Sequence, residues 1–195
     1  MRLLDLLVVA TIGVGLTLSA SSVDAEDSIT TGSLSRAVEL PSHRWLAKIR
    51  RLPATELEPF TTDGCSGGMS SLWAFTAQSY PEFAEAHLGV PPWEECCVTH
   101  DRAYHTGGKE PDPEASYAAR IKADEKLRQC VIATSSDRDD VLMDLYGMTE
   151  AEVKLVYEAI GAAMFQAVRL GGGPCTGLPW RWGYGYPNCW ELPSD

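Results

Sequence analysis

Six cysteines constrain this chain more than any other feature: Cys65, Cys96, Cys97, Cys130, Cys175 and Cys189. Their number is even, and all lie beyond an apolar N-terminal stretch. In an oxidising compartment such a set pairs into disulfides, which restricts the fold to topologies that bring the partners together. Zinc binding is the competing use. It is disfavoured because no C-x-x-C occurs and the neighbours Cys96 and Cys97 make poor ligands of one metal. Spacing alone does not choose among the possible pairings.

The N-terminus bears on the compartment. Arg2 gives a positive start, Leu6 to Leu18 form an apolar run, and Val23-Asp24-Ala25 is a small-residue exit. Residues 1–25 therefore read as an export signal cut after Ala25, with a retained membrane anchor as the alternative. A secreted or periplasmic location follows. No later segment has the length and uniform apolarity of a transmembrane helix. The 195 residues then leave an N-terminal extension or linker, 26–59, and one domain, 60–195. With 45% hydrophobic residues the domain can bury a core. The formal net charge of -11 argues against nucleic acid and strongly anionic membranes as partners and leaves a zwitterionic lipid surface open.

Along the chain, Glu26 to Ser33 is polar and small, as in a linker. Arg44, Lys48, Arg50 and Arg51 alternate with Trp45, Leu46 and Ile49. This segment reads first as a solvated helical extension; a helix laid on membrane or folded back on the domain is the alternative. Pro53 to Pro59 marks a boundary, and Thr61 to Gly68 is a glycine-rich loop. Ser70 to His87 is expected to be partly helical, with Pro81 opening a second piece. Pro91-Pro92 followed by Glu94 and Glu95 starts a helix through His100 to about Thr106, ended by Gly107-Gly108. Asp112-Pro113-Glu114 starts a second, reaching about Ala133. Ser136 to Tyr146 suggests a short helix ending at Gly147. Thr149 and Glu152 fit a capping box for a third long helix, running to Leu170. That helix carries Val153, Leu155, Val156, Ile160, Met164, Phe165 and Val168, apolar on most sides, and is expected to be buried. A tail from Pro174 to Trp190 is rich in Trp, Tyr, Gly and Pro; it would either meet a membrane interface or cover the core. Strand signals are few, so the class is mainly α.

On the first of these helices Cys96, His100 and Tyr104 share one stripe, and Asp101 is turned about 100° from His100. One helix can thus aim an imidazole, a competent general base near neutral pH, and a carboxylate, a ligand for a hard cation, into adjoining parts of one site. Gly64, Gly67 and Gly68 allow the preceding loop to turn its carbonyls inward, as calcium coordination often requires. Asp101 and His105 are also four apart and could instead hold a transition metal, making a different hydrolase, although spacing places no third ligand. His43 and His87 have no partner in sequence.

Cys96-Cys97-Val98-Thr99-His100-Asp101 with Tyr104 resembles the active-site helix of secreted phospholipase A2 enzymes, C-C-x-x-H-D-x-x-Y. Asp124, six residues before Cys130, resembles the aspartate of that family's second helix, and Cys65-Ser66-Gly67-Gly68 is similar to its calcium loop, C-G-x-G. The resemblance covers residues 64–133. It implies a disulfide-stapled antiparallel helix pair, bridged Cys65–Cys97 and Cys96–Cys130, with Cys175–Cys189 remaining. It implies calcium-dependent hydrolysis of the sn-2 ester of glycerophospholipids at a membrane surface. His100 would be the general base, Tyr104 and Asp124 would hold it, and Asp101 with the carbonyls of Gly64, Ser66 and Gly68 would bind the calcium ion. With Cys96 bridged to Cys130 in an antiparallel pair, His100 lies roughly 6 Å and Asp124 roughly 9 Å along the helices from the bridge, heights compatible with contact. Asp124 and Cys130 do not share a stripe, so Glu125 is the fallback.

The sequence also departs from the family pattern. Ser66 stands where the first loop glycine would be, and the stretch from Gly68 to Pro92 is long. Six cysteines are few for the animal venom and pancreatic branches, so the chain looks more like a divergent, bacterial-type branch, and the third long helix and the aromatic tail have no counterpart. A non-catalytic membrane- or receptor-binding module on the same scaffold is the other class of function. Its usual marker is loss of the histidine or of the calcium-binding aspartate, and both His100 and Asp101 are present.

Overall fold

A computed structural model describes residues 25–53, 55–62, 64–65, 78–79, 91–109, 111–137 and 139–190. Most of the expected export signal lies outside these residues, as do Ser66, Gly67, Gly68, His87 and most of the segment 70–87. The chain divides into two compact units, 1–34 and 35–195. Among the described residues the regular structure is helical, with no strand. The α-helices are α1 (Ala25–Ile49), α2 (Glu94–Thr106), α3 (Pro113–Ala133), α4 (Asp139–Tyr146) and α5 (Glu150–Gly171), with a 3-10 turn over Thr134–Asp137. No described helix is long and apolar enough to cross a membrane.

Helix boundaries follow local chemistry. α2 opens with Glu94 and Glu95 at the positive end of its dipole and closes on Gly107, at φ 64. In α3 the Asp112 side chain accepts a hydrogen bond from the Ala115 amide, and Pro113 occupies the first turn, where its missing N–H costs nothing. α5 has both halves of the capping box: the Glu152 amide donates to Thr149 Oγ1 and the Thr149 amide to the Glu152 carboxylate.

α3 lies at the centre and packs on both α2 and α5. Between α2 and α3 the contacts Cys96–Cys130, His100–Asp124 and Tyr104–Arg120 move forward along one helix and backward along the other, so the two run antiparallel. Three disulfides close the frame: Cys65–Cys97, Cys96–Cys130 and Cys175–Cys189. The first two span separations of 32 and 34 residues, loops whose closure typically contributes about 3–4 kcal/mol each by restricting the unfolded chain. One core cluster joins Trp93, Leu127, Val131, Val153, Tyr157 and Met164; a second joins Leu46, Tyr104, Ala123 and Trp182.

Three expectations need correction. Helix α1 takes in residues 26–33, where composition suggested a linker. Its later half is no solvated extension: Leu40, His43, Leu46, Ala47 and Ile49 are buried. An apolar stripe at helical spacing finds the domain surface, while Arg44, Trp45 and Lys48 stay outside. Finally, α5 is not buried all round. Val153, Tyr157, Gly161 and Met164 form its buried face, whereas Leu155 is 65% and Leu170 84% exposed. Alanines dilute its outer face without changing which side meets α3.

The aromatic tail covers the core through Trp182, with Tyr184 and Tyr186 packed against the same cluster. Trp182 is fully buried against the Tyr104 ring, 5.0 Å between centroids, and its indole N–H donates to Ser116 Oγ at 2.9 Å. Trp190 is exposed. The tail also closes the carboxyl end of α2: the Gly183 and Gly185 amides donate to the carbonyls of Tyr104 and His105. Gly183 adopts φ 76, and a Cβ there would meet Leu46 at 2.7 Å.

Candidate active site

The antiparallel pair brings His100 of α2 to Asp124 of α3, with Nε2 3.0 Å from Oδ1. Both side chains are buried. Nδ1 of the same ring lies 3.9 Å from Asp101 Oδ1, a through-space contact rather than a hydrogen bond. Burial alone would lower the His100 pKa; the carboxylates of Asp101 and Asp124 outweigh it and raise it above the ordinary histidine value. Asp124 accepts from Tyr104 and Arg169, so Nε2 is the donor in this contact, and in the neutral ring Nδ1 carries the lone pair. Glu125 faces away and pairs with Arg128 and Gln129.

Tyr104 donates its hydroxyl proton to Asp124 Oδ1 at 2.6 Å, and its ring lies 4.1 Å from the imidazole, centroid to centroid. Burial and the nearby Asp124 charge push the Tyr104 pKa well above its usual value, so it remains a donor. Asp124 is fully buried, and its second oxygen accepts from Arg169 Nη1 at 3.0 Å. This carboxylate therefore has three partners, from three different positions, and can neither rotate nor be solvated cheaply.

Asp101 sits where two clefts meet. One is lined by His100, Leu127, Met164, Val168 and Trp180, the other by Thr61, Thr62, Pro179 and Tyr184. Trp180 borders both, and its indole packs on Gly171, where a Cβ would come within 2.3 Å. Asp101 Oδ2 accepts from Thr62 Oγ1 at 2.5 Å, and the Gly64 amide donates to the same hydroxyl at 3.0 Å. Gly64 has φ 69, and the Glu94 carboxylate occupies the space a side chain there would need. The Cys65–Cys97 bridge holds this end of the loop beside α2.

The Asp101 carboxylate and the Thr62 hydroxyl present oxygens, as a hard cation prefers. Among the described residues no group of three or more His, Cys, Asp or Glu side chains could hold a metal ion, so the described side chains alone do not complete a shell around Asp101, and backbone carbonyls are the other oxygens a hard cation uses. Gly64 begins the loop that could supply them; Ser66 and Gly68 lie outside the described residues. His105 is packed against Phe60 and Tyr184, and its Nε2 has no hydrogen-bond partner.

Sequence reasoning missed four residues around the site. Glu39 of α1 binds Arg120 of α3, Arg169 of α5 and His43 of its own helix. His43 Nδ1 also reaches Ser116 Oγ at 2.9 Å. One signal was available for Arg120: it stands four residues before Asp124, hence on the same helix face. Glu39 and Arg169 are 130 residues apart and carried none.

No family model matches the chain, and no curated protein or solved structure matches it.

Proposed function

We propose that this chain is a calcium-dependent esterase of the phospholipase A2 type, releasing the sn-2 fatty acid of glycerophospholipids. The observation that carries the reading is the His100–Asp124 contact: it ties down Nε2 and leaves Nδ1 beside Asp101 and the apolar cleft.

In this reading His100 Nδ1 takes a proton from water as the oxygen attacks the ester carbonyl carbon. Asp124 stabilises the imidazolium that forms and keeps its ring oriented. Collapse of the tetrahedral intermediate breaks the bond to the glycerol oxygen, and His100 returns the proton to that leaving group. The products are a fatty acid and a lysophospholipid. Leu127, Met164, Val168 and Trp180 offer an acyl chain an apolar surface. Asp101 and the backbone carbonyls of the loop beginning at Gly64 would hold calcium, which supplies positive charge to the developing oxyanion.

The test is fatty-acid release from phosphatidylcholine vesicles labelled separately at sn-1 and sn-2, with calcium and with a chelator. Release of the sn-2 label alone, abolished by the chelator and restored by calcium, is expected. No release from any head group by the folded, oxidised, calcium-supplied protein would sink the reading and favour a binding module. Release that survives calcium removal but requires zinc would favour a metal site at Asp101 and His105.

A further inference from the structure

Behind His100 lies a charge-balanced cluster, the carboxylates of Glu39 and Asp124 against the guanidiniums of Arg120 and Arg169, in which Asp124 and Arg120 are buried and Glu39 and Arg169 partly so. Arg169 is a fork between the two acids, with Nη2 2.6 Å from Glu39 Oε2 and Nη1 3.0 Å from Asp124 Oδ2. A planar guanidinium that donates one arm to each carboxylate fixes their separation and relative orientation. A second route leaves the same glutamate. Glu39 Oε1 binds Arg120 Nη1, Arg120 Nε donates to Tyr104 Oη at 3.2 Å, and Tyr104 donates to Asp124 Oδ1. Arg120 Nη2 is anchored on the carbonyls of Val168 and Arg169 at the end of α5. Both oxygens of the carboxylate that orients His100 are thus traced back to one residue of the N-terminal helix.

We propose that Glu39 is a positioning residue for His100, acting through Arg169 and Asp124, and that the part of the N-terminal extension from residue 35 onward belongs to the catalytic unit rather than to a removable segment. The proposal rests on His100 being the base, and it adds α1 to the machinery. Neutralising Glu39 leaves two guanidiniums, a buried Arg120 and a partly buried Arg169, facing one carboxylate. Arg169 then loses the anchor that fixes its distance from Asp124, and the carboxylate is free to turn away from Nε2. A cluster that merely staples three helices together would lose stability on the same change without altering the imidazole.

The experiment uses the full exported chain with its disulfides formed, labelled with nitrogen-15 at histidine, as wild type, Glu39→Gln, Arg169→Gln and the double variant. At alkaline pH, where the imidazole is neutral, wild-type His100 is expected to be a single tautomer with a protected Nε2–H. In each single variant that retains its helical circular dichroism and disulfides, exchange of that proton should rise about tenfold or its signal vanish. On phosphatidylcholine, kcat should fall about 10- to 100-fold with KM and calcium affinity unchanged. The double variant should be no worse than either single one, since both cut the same relay. A folded Glu39→Gln protein with wild-type His100 exchange and kcat would overturn the proposal. If that variant does not fold, a folded Arg169→Gln protein with wild-type exchange and kcat overturns it equally. A wild type that releases no fatty acid would sink the phospholipase reading, while the proton-exchange comparison would still decide the relay.

Discussion

At the residue scale the site depends on how one carboxylate is held. Asp124 is fully buried, and His100, Tyr104 and Arg169 supply the hydrogen bonds that burial would otherwise take from its two oxygens. Replacing it with Asn keeps the shape but lets the amide group donate, which favours the wrong imidazole tautomer. Asp124→Asn is expected to lower kcat by about 10²- to 10⁴-fold. Glu125→Gln, half-buried one residue away and paired with Arg128 rather than His100, should leave kcat within about twofold. Initial rates of the two variants check this, and equal losses in both would contradict the assignment. Asp124 could be read from the sequence because it lies six residues before a cysteine in a helix with clear start signals. The angular objection that kept Glu125 in play did not hold, because the contact joins side chains reaching across two helices and does not require Asp124 and Cys130 to share a stripe.

At the element scale the helices beyond α1 were legible because their ends carry local chemistry. Asp112 and Pro113 start α3, the Thr149–Glu152 box starts α5, and Gly107 and Gly147 stop the helices before them. What α1 and α5 do was less legible, since burial is decided by partners distant in sequence. Leu155 and Leu170 look like core residues until α3 is seen to cover only the opposite face. Glu39 is the clearest case. Burial alone would raise its carboxyl pKa, but the hydrogen bond from His43 and the charges of Arg120 and Arg169 outweigh this and pull it down to about 2, from 4.5. A carboxyl whose pKa is lower in the folded state contributes stability above its unfolded pKa and loses it as the pH falls towards the folded value. Wild-type stability should therefore decline between about pH 4.5 and about pH 2 more steeply than that of Glu39→Gln, which should already melt lower at neutral pH. Denaturant midpoints across this range measure the difference, and parallel curves would contradict a charged, ion-paired Glu39.

At the scale of the whole molecule, the disulfides and the tail turn a helix pair into a site. Cys65–Cys97 holds Gly64 and Cys65 beside α2, Cys96–Cys130 sets the register that puts His100 opposite Asp124, and the segment closed by Cys175–Cys189 delivers Trp180 to the cleft and Trp182 to the core. The cysteine count announced such a frame, and the pairings implied by the phospholipase resemblance are the ones formed. Nothing local announced that the tail's glycine amides would cap α2, because those bonds exist only once residues 183 and 185 return to residues 104 and 105. In the proposed reaction this frame holds His100 as the base for ester hydrolysis. The decisive measurement is the initial rate of sn-2 fatty-acid release from phosphatidylcholine by wild type and by His100→Gln, both oxidised, folded and saturated with calcium. The variant is expected to lose at least about 10²-fold in rate, with its melting temperature and calcium affinity close to wild type. A His100→Gln protein that hydrolyses the lipid at the wild-type rate would contradict the role given to His100.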